Sequence, residues 1–377
     1  MKTFNSCNLK NKTVLLRVDI NSELKNRKIL MSKRIEQSAE TINLLKKKKA
    51  KVVVIAHQGR QGKKDLTSLK QHSKLLNRFT KIKFVKDIIG KKAVKKIKKL
   101  KSGEALLLEN IRTLDDEFKP GKNNFVKKLS SLCDVYINDA FSVCQRKHSS
   151  IISFPKYMES FAGPFLYKEF SLLKKINLKN TLYILAGSKP WDNIKLLGRN
   201  NKVLVGGVFS LLCLIAKGKK LGISERELRK NIKDFNKLIK EIKKNLKNIE
   251  VPVDFVMNVN GERKEISVDE LPSNYMLFDI GKETIKKYSE KIKKSKTIYM
   301  KGPMGVCEYK KFCKGTKDLL RAISKNKNFS LIGGGHLSIV VDSMRIPERK
   351  FGHLSLSGGA LLRYIAGDKL PGLEALK

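Results

Sequence analysis

Ser330–Val341 reads SLIGGGHLSIVV. A short apolar run, Leu331 and Ile332, stops at Gly333, Gly334 and Gly335, and an apolar helical pattern resumes at Leu337, Ile339, Val340 and Val341. The spacing predicts strand, glycine turn, helix. Without Cβ atoms a ligand can approach the turn closely, and the amides opening the helix point outward at the positive end of its dipole. Such a turn suits an anion. Phe351–Ile365, FGHLSLSGGALLRYI, repeats the pattern: Leu354 and Leu356, then Ser357, Gly358 and Gly359, then a new helix. Two such turns in succession predict one cradle built from neighbouring strand ends; the plainer alternative is a pair of tight βα turns that hold nothing. Neither carries G-x-x-x-x-G-K-[ST] or G-x-G-x-x-G spacing, which excludes a Walker loop and a dinucleotide fingerprint.

Upstream of this stretch, strand and helix alternate. Thr181–Leu185 predicts a strand leading to Ala186-Gly187-Ser188-Lys189, and Val203–Val205 one leading to Gly206-Gly207. Ser224–Lys247 reads as a very basic helix, Pro252–Met257 and Tyr275–Phe278 as strands, the latter ending in Asp279-Ile280-Gly281. Thr297–Met300 precedes Lys301-Gly302-Pro303-Met304-Gly305-Val306-Cys307-Glu308, a turn presenting a carboxylate of the kind that accepts hydrogen bonds from ribose. In the first half the strands Val14–Asp19, Val52–Ala56, Ala105–Leu108 and Asp134–Ile137 exit into polar groups: Asp19 and Asn21, His57-Gln58-Gly59-Arg60, Glu109-Asn110-Ile111-Arg112, and Asn138-Asp139 with Arg146 and His148 beyond. Helices are expected at Ser68–Phe79 and near Lys91–Leu100. Ser32 is expected to cap a helix whose first turn holds Arg34, a poor place for a cation unless an anion lies near. Guanidinium forks suit phosphate and carboxylate, so Arg34, Arg60, Arg112 and Arg146 together predict a basic anion pocket separate from the glycine cradle. Phe161–Lys174 is expected to be the helix bridging the two halves, both parallel-sheet α/β.

At 377 residues the chain has room for two domains. No apolar run reaches the roughly 18–20 residues of a membrane span, and MKTFNSCNLKNK lacks the apolar core of a signal peptide, so a soluble cytoplasmic protein without membrane contact is expected. Six cysteines without C-x-x-C spacing and only five histidines form no zinc pattern, and reduced, structural thiols are expected. The net charge of +46 comes largely from lysine runs such as Lys46–Lys49, Lys91–Lys101, Lys217–Lys220, Lys237–Lys247 and Lys286–Lys296. Ile and Leu at core spacing within them point to solvated basic helix faces; the alternatives are a nucleic-acid-binding surface and a field attracting small polyanionic substrates.

The motifs themselves resemble the phosphoglycerate kinases, from about Val14 to Leu376. RVDINSEL at Arg17–Leu24 is similar to that family's RVDFNVPL, AHQGR at Ala56–Arg60 to SHLGR, LLLENIR at Leu106–Arg112 to LLENVR, and VYINDAF at Val135–Phe141 to YVNDAF. ILAGSK resembles ILGGAK, FDIGKET resembles LDIGPKT, KGPMGVCE resembles NGPMGVFE, IGGGH resembles IGGGD, and HLSLSGGALL…KLPGLEAL resembles HVSTGGGASL…KLPGVEAL. The resemblance implies two Rossmann-like parallel-sheet domains facing a cleft and joined by a helix, with the first, residues 1–160, binding 3-phosphoglycerate. The second, 161–365, would bind ATP or ADP with its Mg²⁺, and a tail at about 366–377 would pack back on the first. It implies reversible phosphoryl transfer between 1,3-bisphosphoglycerate and ADP, by domain closure and in-line transfer, in a monomer. Carried over by position, Asp19, Ile20, Asn21, Arg34, His57, Gln58, Gly59, Arg60, Arg112 and Arg146 would hold the glycerate and its phosphate. Lys189, Glu308, Gly333, Gly334, Gly335, His336, Ser357, Gly358 and Gly359 would hold the nucleotide, with Arg34, Lys189, Gly334 and Gly358 around the transferred group. No protein metal ligand is implied.

Some positions depart from the family pattern. His336 stands where bacterial and eukaryotic members carry Asp, an archaeal-type trait, and imidazole is a poor ligand for hard Mg²⁺. Lys301 replaces the Asn of NGP, Leu356 a threonine, Glu23 the usual Pro, and Asn193 a second nucleotide-side lysine, with Lys195 two residues on. The rival readings are an impaired, kinase-like nucleotide binder and a basic nucleic-acid-binding protein.

Overall fold

Short apolar runs without alternation form strands buried on both faces. In the computed structural model, which describes residues 1–4, 7–176, 180–197 and 202–377, such runs build two parallel sheets. Thr13–Arg17 (β1) is followed by a small hairpin of Leu24–Lys25 (β2) and Lys28–Ile29 (β3), then by Lys51–Ile55 (β4), Lys83–Val85 (β5), Ala105–Leu108 (β6), Val135–Asn138 (β7) and Glu159–Ala162 (β8). Apart from the hairpin these strands pair in parallel in the order β5-β6-β4-β1-β7-β8. Helices Lys33–Lys47 (α1), Lys70–Leu76 (α2), Lys91–Lys98 (α3), Asn124–Ser130 (α4) and Ser149–Ile152 (α5) connect them. Neighbouring strand residues face opposite ways. Leu16, Val54 and Leu107 pack with Ile42 and Leu45 of α1, while Leu15, Val53 and Leu106 pack with Ile97, Phe125 and Phe154.

Pro164–Leu173 (α6) follows, shorter than the expected Phe161–Lys174 because Phe161 and Ala162 belong to β8. Its start is fixed by Asp139, whose Oδ1 accepts from the Phe165 and Leu166 amides at 2.8 and 3.0 Å. The chain divides within this helix into two compact units, Met1–Ser171 with Gly367–Lys377, and Leu172–Ala366. In the first unit the last helix, Pro371–Glu374 (α15), is anchored by the Gly372 amide donating to the Cys144 carbonyl at 2.8 Å.

The second unit's parallel sheet runs β11-β10-β9-β15-β16-β17, from Leu182–Leu185 (β9), Val203–Val205 (β10), Ile249–Glu250 (β11), Thr297–Lys301 (β15), Phe329–Gly333 (β16) and His353–Ser355 (β17). Its helices are Pro190–Ile194 (α7), Gly207–Ala216 (α8), Ile223–Asn231 (α9), Phe235–Lys243 (α10), Lys282–Lys294 (α11), Lys314–Lys325 (α12), Gly335–Ser343 (α13) and Gly358–Ile365 (α14). Beside its parallel sheet this unit carries a small antiparallel one. Asp254–Val259 (β12), Glu262–Ser267 (β13) and Met276–Ile280 (β14) form an antiparallel sheet in the order β13-β12-β14. Asn260 and Gly261, at φ 50° and 87°, make the two-residue turn that pairs Val259 with Glu262. The Asn-Gly pair was the available signal; β13, ERKEIS, is too polar to register as a strand by its apolar content.

The single basic helix expected at Ser224–Lys247 is two helices, broken where Asp234 takes a left-handed φ of 58°. The break lets Phe235, Leu238 and Ile242 bury together while Arg229 lies over the Phe235 ring at 4.6 Å. In the basic helices the lysines face outward: α3 buries Ala93 and Ile97, and α11 buries Thr284, Tyr288 and Ile292. The thiol expectation also fails at one pair. Cys307 and Cys313 are joined by a disulfide, because the turn between them folds back to bring their Cα atoms to 4.4 Å; Cys7, Cys133, Cys144 and Cys213 are free. Among the described residues no helix is long and apolar enough to cross a membrane.

Beneath the first sheet's loops lies His72, fully buried on α2. Gln58 spends its amide nitrogen on the Ser22 and Asp65 carbonyls, so its Oε1, 3.1 Å from His72 Nε2, accepts a hydrogen bond from Nε2–H. Burial pushes the His72 pKa down to about 4. A folded pKa below the unfolded one leaves this contribution complete above about pH 6.5 and erodes it as pH falls toward 4, because the unfolded ring takes the proton first. Urea unfolding at pH 7 and pH 4.5 should therefore lose roughly 2–3 kcal/mol more in the parent than in His72→Gln. Equal losses in the two proteins would refute a neutral, buried His72.

Candidate active site

In a parallel sheet all strands leave by the same edge, and there the first unit gathers its polar residues. Arg17 ends β1 wholly inside the protein, 1% exposed. Its Nε donates to Ser150 Oγ at 3.1 Å, and Ser150 in turn donates to the buried Glu117 carboxylate at 2.7 Å. Its Nη2 lies 3.0 Å from His57 Nδ1. A guanidinium can only donate, so Nδ1 accepts and the His57 proton sits on Nε2. Burial, then Arg17, drive the His57 pKa well below its ordinary value.

Asp19 resolves the conflict posed by Arg34. The anion near that helix start is the protein's own: Arg34 Nη1 lies 3.2 Å from Asp19 Oδ2 and donates to the Asn21 carbonyl at 3.1 Å. Burial alone would raise the Asp19 pKa, but the Arg34 guanidinium, the Ser142 hydroxyl and the Asn21 amide oppose it, and the carboxyl is held well below the usual range. Ser32 occupies the N-cap position without capping; its hydroxyl meets Ser22 Oγ at 2.7 Å instead. Asn21 ties two strand exits together, its Oδ1 accepting from the Gly59 amide at 2.8 Å. Gly59 has no room for a side chain, since a Cβ there would lie 2.0 Å from the Asp65 carbonyl oxygen.

The remaining guanidiniums crowd one another. Arg112 is 3% exposed; its Nη1 donates to the Gly59 carbonyl, while its Nη2 is buried without a hydrogen-bond partner. Burial, then Arg146 and Arg17, push its pKa down to about 9, and burial, then Arg60 and Arg17, lower that of Arg146. Cations this close repel until an anion joins them. Of the residues singled out from sequence, Asp19, Asn21, Arg34, His57, Arg60, Arg112 and Arg146 thus converge on one edge. Ile20 points into the core, and Gln58 is spent on protein partners as scaffold. Sequence reading missed the positioning roles of Arg17, Glu117, Ser142 and Ser150. A charge inside the apolar run VLLRV was the signal for Arg17, because a buried guanidinium must find acceptors.

At the matching edge of the second unit, β16 and β17 run side by side, and the Gly334 amide donates to the Ser355 carbonyl at 3.1 Å, joining the two turns. Neither α13 nor α14 is capped by a side chain, which leaves their first-turn amides available to a ligand. Cβ atoms built on Gly334, Gly335 or Gly358 would meet nothing within 4 Å. Gly334, at φ 110°, serves the turn's shape, since its own amide is spent. Gly333 faces inward, where a Cβ would sit 2.8 Å from Leu361 Cδ2; its smallness serves packing of α14. His336, Gly359, Glu308 and Lys189 are exposed, Ser357 is buried at the N-cap of α14, and Lys189 is the N-cap of α7. Among the described residues no three His, Cys, Asp or Glu side chains gather to hold a metal ion.

A family model described as phosphoglycerate kinase matches residues 4–368. The chain belongs to the phosphoglycerate kinase family. It is 40% identical to the phosphoglycerate kinase of Sulfolobus acidocaldarius, covering 99% of this chain and 95% of that protein. It is 42% identical to that of Sulfurisphaera tokodaii, covering 96% and 92%. The crystal structure of phosphoglycerate kinase from Pyrococcus horikoshii superposes with a TM-score of 0.91 at 34% identity, over 100% of this chain and 98% of that one. These three relatives are archaeal, in line with an archaeal-type member of the family.

Proposed function

We infer that this protein catalyses reversible phosphoryl transfer between 1,3-bisphosphoglycerate and ADP, giving 3-phosphoglycerate and ATP. The observation that carries the reading is Arg112 Nη2, buried and without a partner among crowded guanidiniums, at the strand edge of a chain whose other unit offers two uncapped helix starts. On this reading the first unit binds the glycerate through Asp19, Asn21, Arg34, His57, Arg60, Arg112 and Arg146, and the second binds the nucleotide through Lys189, Glu308 and the two glycine turns. The acceptor is a carboxylate. No covalent intermediate is needed, so positioning and charge neutralisation dominate, with Arg34 and Lys189 on the moving phosphoryl. The open space at Gly334, Gly335 and Gly358 fits a polyphosphate. Mg²⁺ then travels with the nucleotide as part of the substrate, held by phosphates and water, for which imidazole at His336 is no substitute. We place the enzyme in the cytoplasm as a monomer in glycolysis or gluconeogenesis.

A coupled assay of ADP formation from ATP and 3-phosphoglycerate tests the reading. Absence of turnover with nucleotide binding retained would leave the impaired binder instead. The net charge of +46 adds a further expectation, because every substrate is an anion. Raising ionic strength from about 10 mM to about 150 mM shortens the screening length from roughly 30 Å to roughly 8 Å and should raise the KM for 3-phosphoglycerate. Weak, sequence-independent RNA binding should fade over the same range, whereas selective binding that survives salt would favour the nucleic-acid reading.

A further inference from the structure

Lys301 is the last residue of β15, which lies in the middle of its sheet between β9 and β16. Its register partners are Leu185 and Gly333, so the neighbouring strands run directly into Gly187-Ser188-Lys189 on one side and Gly334-Gly335 on the other. The backbone there is tight: a Cβ on Gly302, at φ 79°, would lie 2.3 Å from the Ala186 carbonyl oxygen. The Lys301 ammonium donates to Asn193 Oδ1 at 2.8 Å. Asn193 is fully buried and spends its Nδ2 on the Ala186 carbonyl at 3.1 Å, which fixes the amide so that Oδ1 faces the lysine. Among the described residues this neutral oxygen is the hydrogen-bond acceptor for Lys301. Burial lowers the pKa of Lys301, Asp192 opposes the shift, and Lys189 adds to it, so the two ammonium groups share one neighbourhood. Asp192 answers one of these two ammonium groups, and the pair, with Lys301 partly buried on a neutral oxygen, retains a surplus positive charge that an anion would neutralise.

We propose that Lys301 is a second cation of the phosphoryl-transfer site, held by Asn193 and directed at the polyphosphate that Lys189 and the two glycine turns receive. The proposal rests on the nucleotide reading of the second unit and deepens it. Asn193 is then a positioning residue, and Lys301 touches substrate.

The test measures kcat and both KM values for the parent, for Lys301→Met, and for the reciprocal exchange Asn193→Lys with Lys301→Asn, with melting temperatures to certify folding. Lys301→Met should lower kcat about 10- to 100-fold, less than the roughly 100- to 1,000-fold of a sole transition-state donor because Lys189 remains, with the KM for 3-phosphoglycerate within about twofold. The exchange should recover most of that loss, because the two side-chain ends lie 2.8 Å apart and the cation returns to the same space. Because the exchange can also restore the Lys–Asn hydrogen bond, the structural role is separated by the melting temperature: a purely structural pair would lose stability in Lys301→Met, whereas a substrate contact loses kcat at unchanged melting temperature. A folded Lys301→Met with kcat within about twofold of the parent overturns the proposal, as does an exchange variant no better than Lys301→Met. Should the parent itself show no turnover, the function reading fails separately. Calorimetric titration then decides: weaker ATP binding in Lys301→Met with adenosine binding unchanged supports the role, and equal ATP affinity refutes it.

Discussion

Arg34→Ala and Lys189→Ala are each expected to lower kcat about 100- to 1,000-fold, with much smaller effects on substrate affinity. Arg34 stands in the first unit, on Asp19 and the Asn21 carbonyl. Lys189 stands in the second, exposed at the start of α7. If both neutralise one phosphoryl group in flight, each removes charge stabilisation made chiefly in the transition state, which appears in kcat. The double variant should then be far less than multiplicatively worse, because the pair acts as a unit on one charge. If closure of the two units is what brings both groups onto one phosphoryl, solution scattering should give a smaller radius of gyration with both substrates than with either alone. Strictly multiplicative losses together with an unchanged radius would remove closure from the mechanism.

Arg112→Met should raise the KM for 3-phosphoglycerate about 10- to 100-fold, matching a charge-assisted hydrogen bond worth roughly 1.5–3 kcal/mol, while the KM for ATP stays within about twofold. The separation follows from position: Arg112 neighbours Arg146 and Arg17 at the first unit's edge, and the nucleotide residues belong to the other unit. The variant also removes one of several crowded cations. Inorganic phosphate, by relieving the same repulsion, should raise the melting temperature of the parent more than that of Arg112→Met. Equal thermal shifts in the two proteins would place the phosphate elsewhere.

Much of this was legible from residue order. The runs VLLRV, KVVVI, ALLL and SLIGGG declare buried parallel strands because only strands covered on both faces tolerate continuous apolar sequence, and the polar residues after each run share an edge because parallel strands exit together. Residue order alone therefore groups Arg34, Arg60, Arg112 and Arg146. The helix break at Asp234 and the polar strand β13 could not be read from apolar content, since both depend on what the neighbouring segments bury. Nor could sequence order tell which groups answer each other across the fold. It placed a cation at a helix start but not the carboxylate of Asp19 beside it, and it marked Asn193 and Lys301 as separate departures though their side chains meet. Local sequence determines which segments become strands and which edge carries charge, because both follow from short-range hydrophobic pattern. The pairing of particular charges, their burial and the resulting proton affinities were decided only by tertiary packing, because electrostatic strength depends on distance and dielectric, and neither exists until distant segments are brought together.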